Sequence, residues 1–339
     1  MKKITMMDVA KEAGVSKSTV SQYINNRFEY MSHETRERIE QAIKDLGYIP
    51  NFIAKSLKQK KTSTIGVIVA NILHAFSTEI IRAIEDVAGE HNVHVFVCNA
   101  DDNPEKEKDY IEMLLAKQVD GLIILPTGGN IDLYCSLKKM NFPIVFMDRK
   151  IHPTLYPTLL LDNHAAADMA VSQLIQAGSK KIGFISCTIL PQVTPRMERL
   201  EGYRHTLMLN GLEVNEQWIV QGKGEDIRHQ LVALFEAGNF PDAFFTGNDL
   251  SLIELLKFTK QKNLRIPEDL RVVTIDDSPY LDAFTPSITV VKQPTFEMGK
   301  EAATFLLKLI KHPIFKEEYD AKRYAPTLIK RESIQMERM

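Results

Sequence analysis

The chain has 339 residues, 44% of them hydrophobic and 25% charged, with a formal net charge of −2. That length exceeds one ordinary core and predicts two or three domains, and that composition excludes disordered and collagen-like chains in favour of a soluble globular one. The charge is unevenly spread: residues through Lys61 carry 12 Lys and Arg against 7 Asp and Glu, net +5, and the remainder 30 against 37, net −7. A basic head on an acidic body fits a head that meets phosphates and a body that does not. The three cysteines, Cys98, Cys135 and Cys187, match no metal spacing, and their odd count argues against a disulfide framework and for a reducing cytoplasm. Met1-Lys2-Lys3 is followed by Asp8, Lys11 and Glu12 rather than by an apolar run, so neither a signal peptide nor a membrane span is expected.

Residues 5–25 predict two short helices around a tight turn. Thr5 or Asp8 can open the first, because a short side-chain oxygen accepts from the orphan N–H groups of a helix start. Val9, Ala10 and Ala13 give it an apolar stripe, and Gly14 sits where the chain needs a left-handed residue. Ser16 caps the second helix, with Val20 and Ile24 inward. Lys17, Ser18, Ser21 and Gln22 then face outward, a short polar surface suited to base edges in a DNA major groove. The alternative is a plain amphipathic helix pair.

A third helix is expected from Ser32 to about Leu46, with Ile39, Ile43 and Leu46 buried. Its Arg36 and Arg38 either touch phosphates or stand as solvated charges beside Glu34 and Glu37. Gly47-Tyr48-Ile49-Pro50-Asn51 ends that helix. The segment 52–58, Phe-Ile-Ala-Lys-Ser-Leu-Lys, is amphipathic but too short to hold a helix alone. Residues 59–63 are polar and basic and read as a linker.

From Ile65 the pattern changes to strands alternating with helices. Apolar runs at 65–70, 94–98, 121–125, 144–147, 158–161, 182–186, 243–246 and 271–275 read as buried parallel strands. Helices fit at 77–90, 104–117, 164–177, 197–210, 227–237 and 249–262. This predicts a doubly wound α/β body of two subdomains, the chain crossing near 162 and again near 276–291. Ligands of such sheets sit at the carboxyl ends of strands. Those ends carry Asn71, Asn99, Asp101, Pro126, Asp148, Arg149, Asp162, Ser186, Asn248, Asp249, Asp276 and Asp277. There is no phosphate loop, no G-x-S-x-G and no histidine cluster at ligand spacing, so neither an enzyme nor a cofactor or metal site is expected.

The combination resembles the LacI/GalR family of transcription regulators along essentially the whole chain. The matches are Val9-Ala10-x-x-Ala13-Gly14-Val15-Ser16-x-Ser18-Thr19-Val20-Ser21, Thr35-Arg36-Glu37-Arg38-Ile39-x-x-Ala42-Ile43, and Leu46-Gly47-Tyr48-x-Pro50-Asn51. Weaker matches follow at Ala54-x-Ser56-Leu57, Thr64-Ile65-Gly66, Asp120-Gly121-Leu122-Ile123, Gly247-Asn248-Asp249, Asp276-Asp277-Ser278 and Leu328-Ile329-x-Arg331-Glu332-Ser333.

The resemblance implies a small all-α helix-turn-helix head (1–50), a hinge helix and linker (51–63), and an α/β periplasmic-binding-protein-like core (64–339) of two doubly wound parallel-sheet subdomains that binds effector and dimerises. It implies a cytoplasmic homodimeric repressor on a pseudopalindromic operator of double-stranded DNA, with no membrane partner. Ser16, Lys17, Ser18, Thr19, Ser21, Gln22 and Asn25 would meet the DNA. Leu57, with Lys58 beside it, would wedge into the central minor-groove step, unless Leu57 packs on its own head. The family usually carries Arg after Thr-Val-Ser; here that residue is Gln22, which favours adenine where Arg favours guanine.

By motif position Asp148, Arg196, Asn248 and Asp276 match effector-contacting residues. The alternatives are a helix cap and turn for Asp276-Asp277, and a surface ion pair to Glu198 or Glu201 for Arg196. Arg149 adds a second guanidinium near the cleft, and such forks bind carboxylate or phosphate. The expected effector is therefore a sugar acid or phosphosugar, and within the family the composite resembles repressors of sugar-acid operons, the 2-keto-3-deoxygluconate type among them. A family variant with a phosphoprotein or phosphosugar co-repressor is the alternative. No leucine heptad tail follows the final strand, which argues for a dimer over a tetramer.

Overall fold

The computed structural model describes residues 4–29, 31–48, 61–190, 192–313, 316 and 319–335. It divides at Thr62 into two compact units. The first is a three-helix head: α1 (Met6–Glu12), α2 (Lys17–Ile24) and α3 (His33–Leu46). Thr5 opens α1 through a reciprocal capping box, its N–H donating to Asp8 at 2.8 Å. Gly14 ends the α1 turn at φ +63°, a conformation in which any Cβ would be strained. Ser16 and Ser32 cap α2 and α3 by accepting from Thr19 N–H and Thr35 N–H. Val9, Ala10, Ala13, Val20, Ile39, Ala42 and Tyr48 form the core, and Ile24, Ile43 and Leu46 pack against it half-buried. Arg36 is exposed, and its guanidinium lies 4.1 Å from the Phe28 ring centre.

The second unit carries two six-stranded sheets. The first has β1 (Thr64–Val69), β2 (His94–Asn99), β3 (Leu122–Ile124), β4 (Ile144–Met147), β5 (Thr158–Leu161) and β11 (Ala321–Tyr324), ordered β11-β5-β4-β3-β1-β2 and parallel throughout. The second has β6 (Ile182–Cys187), β7 (Ile219–Gly222), β8 (Ala243–Thr246), β9 (Arg271–Ile275), β10 (Thr289–Lys292) and β12 (Thr327–Ile329), ordered β12-β10-β9-β8-β6-β7. Only β12 in that sheet runs antiparallel to its neighbour.

Helices cover both faces of each sheet. On the first, Ile65, Val67 and Val69 of β1 face α4 (Ala75–Glu90) and α12 (Thr295–Lys311), while Ile68 faces α5 (Pro104–Ala116) and α6 (Ile131–Lys139). That alternation is the period of two expected of a strand buried on both sides. Gly299 lets α12 lie against α4, since a Cβ there would stand 2.8 Å from that of Ala83. On the second sheet α7 (Asn163–Gln176) and α8 (Thr194–Leu209) cover one face, and α9 (Glu225–Glu236) and α10 (Asp249–Lys262) the other. A short α11 (Pro279–Ala283) follows β9.

One expectation needs correction. The 94–98 run is not a buried strand: β2 is an edge strand, and Phe96 and Val97 are each 42% exposed. The return between sheets comes just past 276–291, at 293–294, because β10 first pairs with β9, and a further pass at 325–326, not expected, sends β12 to the second sheet. Among the described residues no helix is long and apolar enough to cross a membrane.

Candidate functional site

On the head, Val20 is fully buried, so the opposite side of α2 is the free one. Lys17, Ser18 and Gln22 are exposed there, and Ser21 is half-buried. Three of the predicted contacts have local duties as well. Ser16 Oγ accepts from Thr19 N–H at 3.1 Å and lies 2.8 Å from Thr19 Oγ1. Asn25 closes α2, its Nδ2 donating to Ser21 O at 2.7 Å. Leu57 and Lys58 lie outside the described residues, as does the whole segment 52–58.

In the core, β1, β3, β4, β8, β9 and β10 deliver their carboxyl ends to one cleft. Asp148, Arg149, Arg196, Asn248 and Asp276 all line it. Asp148 and Asp276 occupy equivalent places, each the first residue beyond a central strand, β4 and β9. Both are left-handed, at φ +67° and +76°. Such a backbone is rare outside glycine, tolerated best by Asp and Asn, and concentrated at functional sites.

Asn248 caps α10: its Oδ1 accepts from Ser251 N–H at 2.9 Å, which leaves Nδ2 as the group it can offer the cleft. Arg196 does not pair with Glu198 or Glu201. Its Nη2 donates to Asp102 Oδ2 at 3.0 Å and its Nη1 to Thr188 O at 2.8 Å, while Glu198 pairs with Arg323 and Glu201 with His164. Arg149 donates from Nη2 to the other Asp102 oxygen at 2.5 Å. Burial by itself would raise the Asp102 carboxyl, but the two guanidinium groups outweigh it and hold the carboxyl below its usual range. Asp277 is no cap; it accepts from Arg331 at 3.0 Å.

Sequence reasoning missed four residues of the site. Arg199, one helical turn beyond Arg196 on α8, is 5% exposed and lines the cleft. Its Nε donates to Asn163 Oδ1 at 2.8 Å and its Nη1 to Gly247 O at 2.6 Å. Gln293 donates to Asp276 Oδ1 at 2.5 Å from the crossing after β10. His74 Nδ1 lies 2.6 Å from Asp249 Oδ1, and the α4 amide of Ala75 donates to Asp249 Oδ2 at 2.8 Å, so the first subdomain is tied to the second across the cleft mouth. Asp102 is the fourth. Among the described residues no cluster of His, Cys, Asp and Glu could hold a metal ion.

Burial pushes the Asp276 carboxyl up to about 6, with Arg199 opposing. Ionisation of Asp276 is therefore penalised in the folded core: its contribution to stability is complete below the usual carboxylate range and is lost as the pH rises through about 6. A ligand hydroxyl donating to the ionised carboxylate relieves that penalty. Affinity for a hydroxylated ligand should fall below about pH 6, by up to about tenfold per pH unit. Calorimetry between pH 5 and 8 checks this, and a flat profile contradicts it.

Family models of known proteins match two stretches: residues 5–51 match "Bacterial regulatory proteins, lacI family", and residues 171–334 match "Periplasmic binding protein-like domain". The chain is 46% identical over 333 residues to a probable HTH-type transcriptional regulator EndR of Paenibacillus polymyxa, covering 97% of this chain and 98% of that one. It is 32% identical to the HTH-type transcriptional regulator KdgR of Bacillus subtilis, covering 90% and 91%. Its fold matches the Lac repressor dimer bound to operator and an anti-inducer, with a TM-score of 0.83, 26% identity, and 99% and 100% of the two chains covered. A polar helix face on a basic head, joined to a two-sheet core whose cleft is lined by Asp148, Arg149, Arg196, Asn248 and Asp276, fits these relatives, and the chain belongs to the lacI family of bacterial regulatory proteins, DNA-binding transcription regulators and not enzymes.

Proposed function

We propose that this protein is a cytoplasmic, homodimeric repressor of carbohydrate catabolic genes, released from its operator by a small anionic sugar derivative, a sugar acid or phosphosugar. The observation that carries the effector class is the convergence of Arg149 and Arg196 on a single carboxylate. Two guanidinium groups placed to grip one anion favour carboxylate or phosphate over a neutral hydroxyl. Asp148, Asn248 and Asp276 supply acceptors and a donor for the sugar hydroxyls beside it.

Dimerisation is supported by large apolar side chains left open on the core: Tyr280 is 82% exposed, Leu73 72% and Ile253 45%. Two copies place two α2 helices on two half-sites, with Lys17, Ser18, Ser21 and Gln22 reading bases and Ser16, Thr19 and Asn25 shaping the helix that carries them. Leu57 and Lys58 are assigned to the central minor-groove step of the operator. The effector acts through the closure of the two core subdomains, which sets the distance between the paired hinge segments. Release of operator DNA by sugar acids or phosphosugars, and not by the parent neutral sugars, is the test.

A further inference from the structure

The anion seat of the cleft is already filled by the protein itself. Asp102 stands on the loop between β2 and α5 and places one oxygen on Arg149 and the other on Arg196. Arg149 belongs to the first subdomain and Arg196 to the second, so this carboxylate bridges the cleft. The loop that carries it is held in a costly shape: Asp101 and Asp102 are consecutive left-handed residues, at φ +54° and +55°. Such a backbone is uncommon for residues with a Cβ, though Asp and Asn tolerate it best. The ion pairs therefore hold a conformation that relaxes once the arginines find another anion.

A second observation points to a missing acceptor at the same place. Arg149 is 4% exposed, and its Nε makes no hydrogen bond, standing 3.6 Å from the Asp148 carboxylate in an ion pair. A buried guanidinium N–H without a hydrogen bond is costly, and an anion entering the seat can supply the acceptor. The seat thus offers more donors than Asp102 uses. It cannot hold Asp102 and a second anion together, because two carboxylates within a few ångströms repel.

Building on the anionic effector just proposed, we propose that Asp102 is an internal competitor: it occupies the two-arginine seat while the cleft is empty, and the effector's carboxylate or phosphate displaces it and takes over the bridge between the subdomains. The apparent affinity for an anion is then the intrinsic affinity reduced by the fraction of molecules in which Asp102 has vacated the seat. Asp102 sets the effector concentration at which the regulator responds, and it rejects neutral sugars, which cannot replace the charge it withdraws.

The test uses the full chain as wild type, Asp102→Asn and Asp102→Gly. Asparagine keeps the shape and tolerates the left-handed backbone; glycine removes the side chain and adopts that backbone freely. Inorganic phosphate is titrated calorimetrically into each. Both variants should bind phosphate at least about tenfold more tightly than wild type. Equal or weaker phosphate binding in both variants overturns the proposal, since Asp102 would then be a support of the seat and not its occupant. 2-Keto-3-deoxygluconate, galacturonate and 6-phosphogluconate form the second arm, where a bound acid should gain by a similar factor. If the variants gain phosphate binding while no protein binds any of these acids, the competitor role of Asp102 stands and the effector class falls.

Discussion

Replacing Arg199 with alanine should lower the stability of the core by about 3 kcal/mol and abolish ligand binding in the cleft. The side chain is 5% exposed and joins three elements: α8, which carries it, Asn163 at the start of α7, and Gly247 at the end of β8. Alanine leaves Asn163 Oδ1 and Gly247 O without their donor, each a buried polar group that water does not reach. It also removes the positive charge that opposes the upward push on Asp276, so the Asp276 carboxyl stays protonated to a higher pH. Loss of stability and loss of the hydroxyl acceptor thus follow from one deletion. Thermal denaturation should show a fall of roughly 5–10 °C, and calorimetry no binding of any sugar acid that the wild type binds. Arg199→Lys should not rescue binding, because one ammonium cannot span Asn163 and Gly247 as the planar fork does. Normal ligand affinity in Arg199→Ala would remove Arg199 from the site.

Gln22→Arg should move the preferred base at one position of each half-site from adenine to guanine. Gln22 is exposed on the free side of α2, within the face opposite buried Val20. Gln pairs bidentately with the adenine edge and Arg with that of guanine, and one such pair discriminates by about 1–3 kcal/mol, roughly 10–100-fold per half-site. A dimer applies that factor twice. Selection from randomised DNA with wild type and variant reads the change at a single column in each half-site. The same preferred half-site from both proteins would show that Gln22 does not read a base.

The head was legible because each of its signals is local. Thr5, Ser16 and Ser32 are caps, Gly14 is a left-handed turn, and Val20 and Ile39 are core, all decided within a few residues. In the core, β4, β5, β8 and β9 are short, largely apolar runs, and the strands span 144–147, 158–161, 243–246 and 271–275 as read. β7, β10, β11 and β12 were not read. β11 (Ala-Lys-Arg-Tyr) is charged because it is an edge strand, and β7 and β12 are likewise edges only three or four residues long. Three helices were missed, α6, α11 and α12, and none has a side-chain cap at its start; α4, α8 and α9 lack one too but were read from their apolar stripes.

The cleft divides along the same line. Residues that merely end a strand could be named from sequence, and Asp148, Arg149, Asn248 and Asp276 were. The partner of the two arginines could not be named, because Asp102 is 47 residues from Arg149 and 94 from Arg196. Arg196 was assigned a cleft position with a local ion pair as its alternative; its contact proves to be neither of the nearby glutamates but a carboxylate of the other subdomain. His74 and Asp249 meet across 175 residues for the same reason. Strand ends are a property of the chain, whereas the pairing of two subdomains across a cleft is a property of the fold.

Fluorescence anisotropy of labelled operator DNA bound to the full chain, titrated in parallel with 2-keto-3-deoxygluconate, galacturonate, 6-phosphogluconate, glucose and galactose, shows whether an anionic ligand in this cleft governs DNA binding by the head. At least one acid or phosphosugar should release the DNA at concentrations where the neutral sugars do nothing, and Arg199→Ala should stay bound throughout. Release by a neutral sugar with no response to any acid would refute control by an anion.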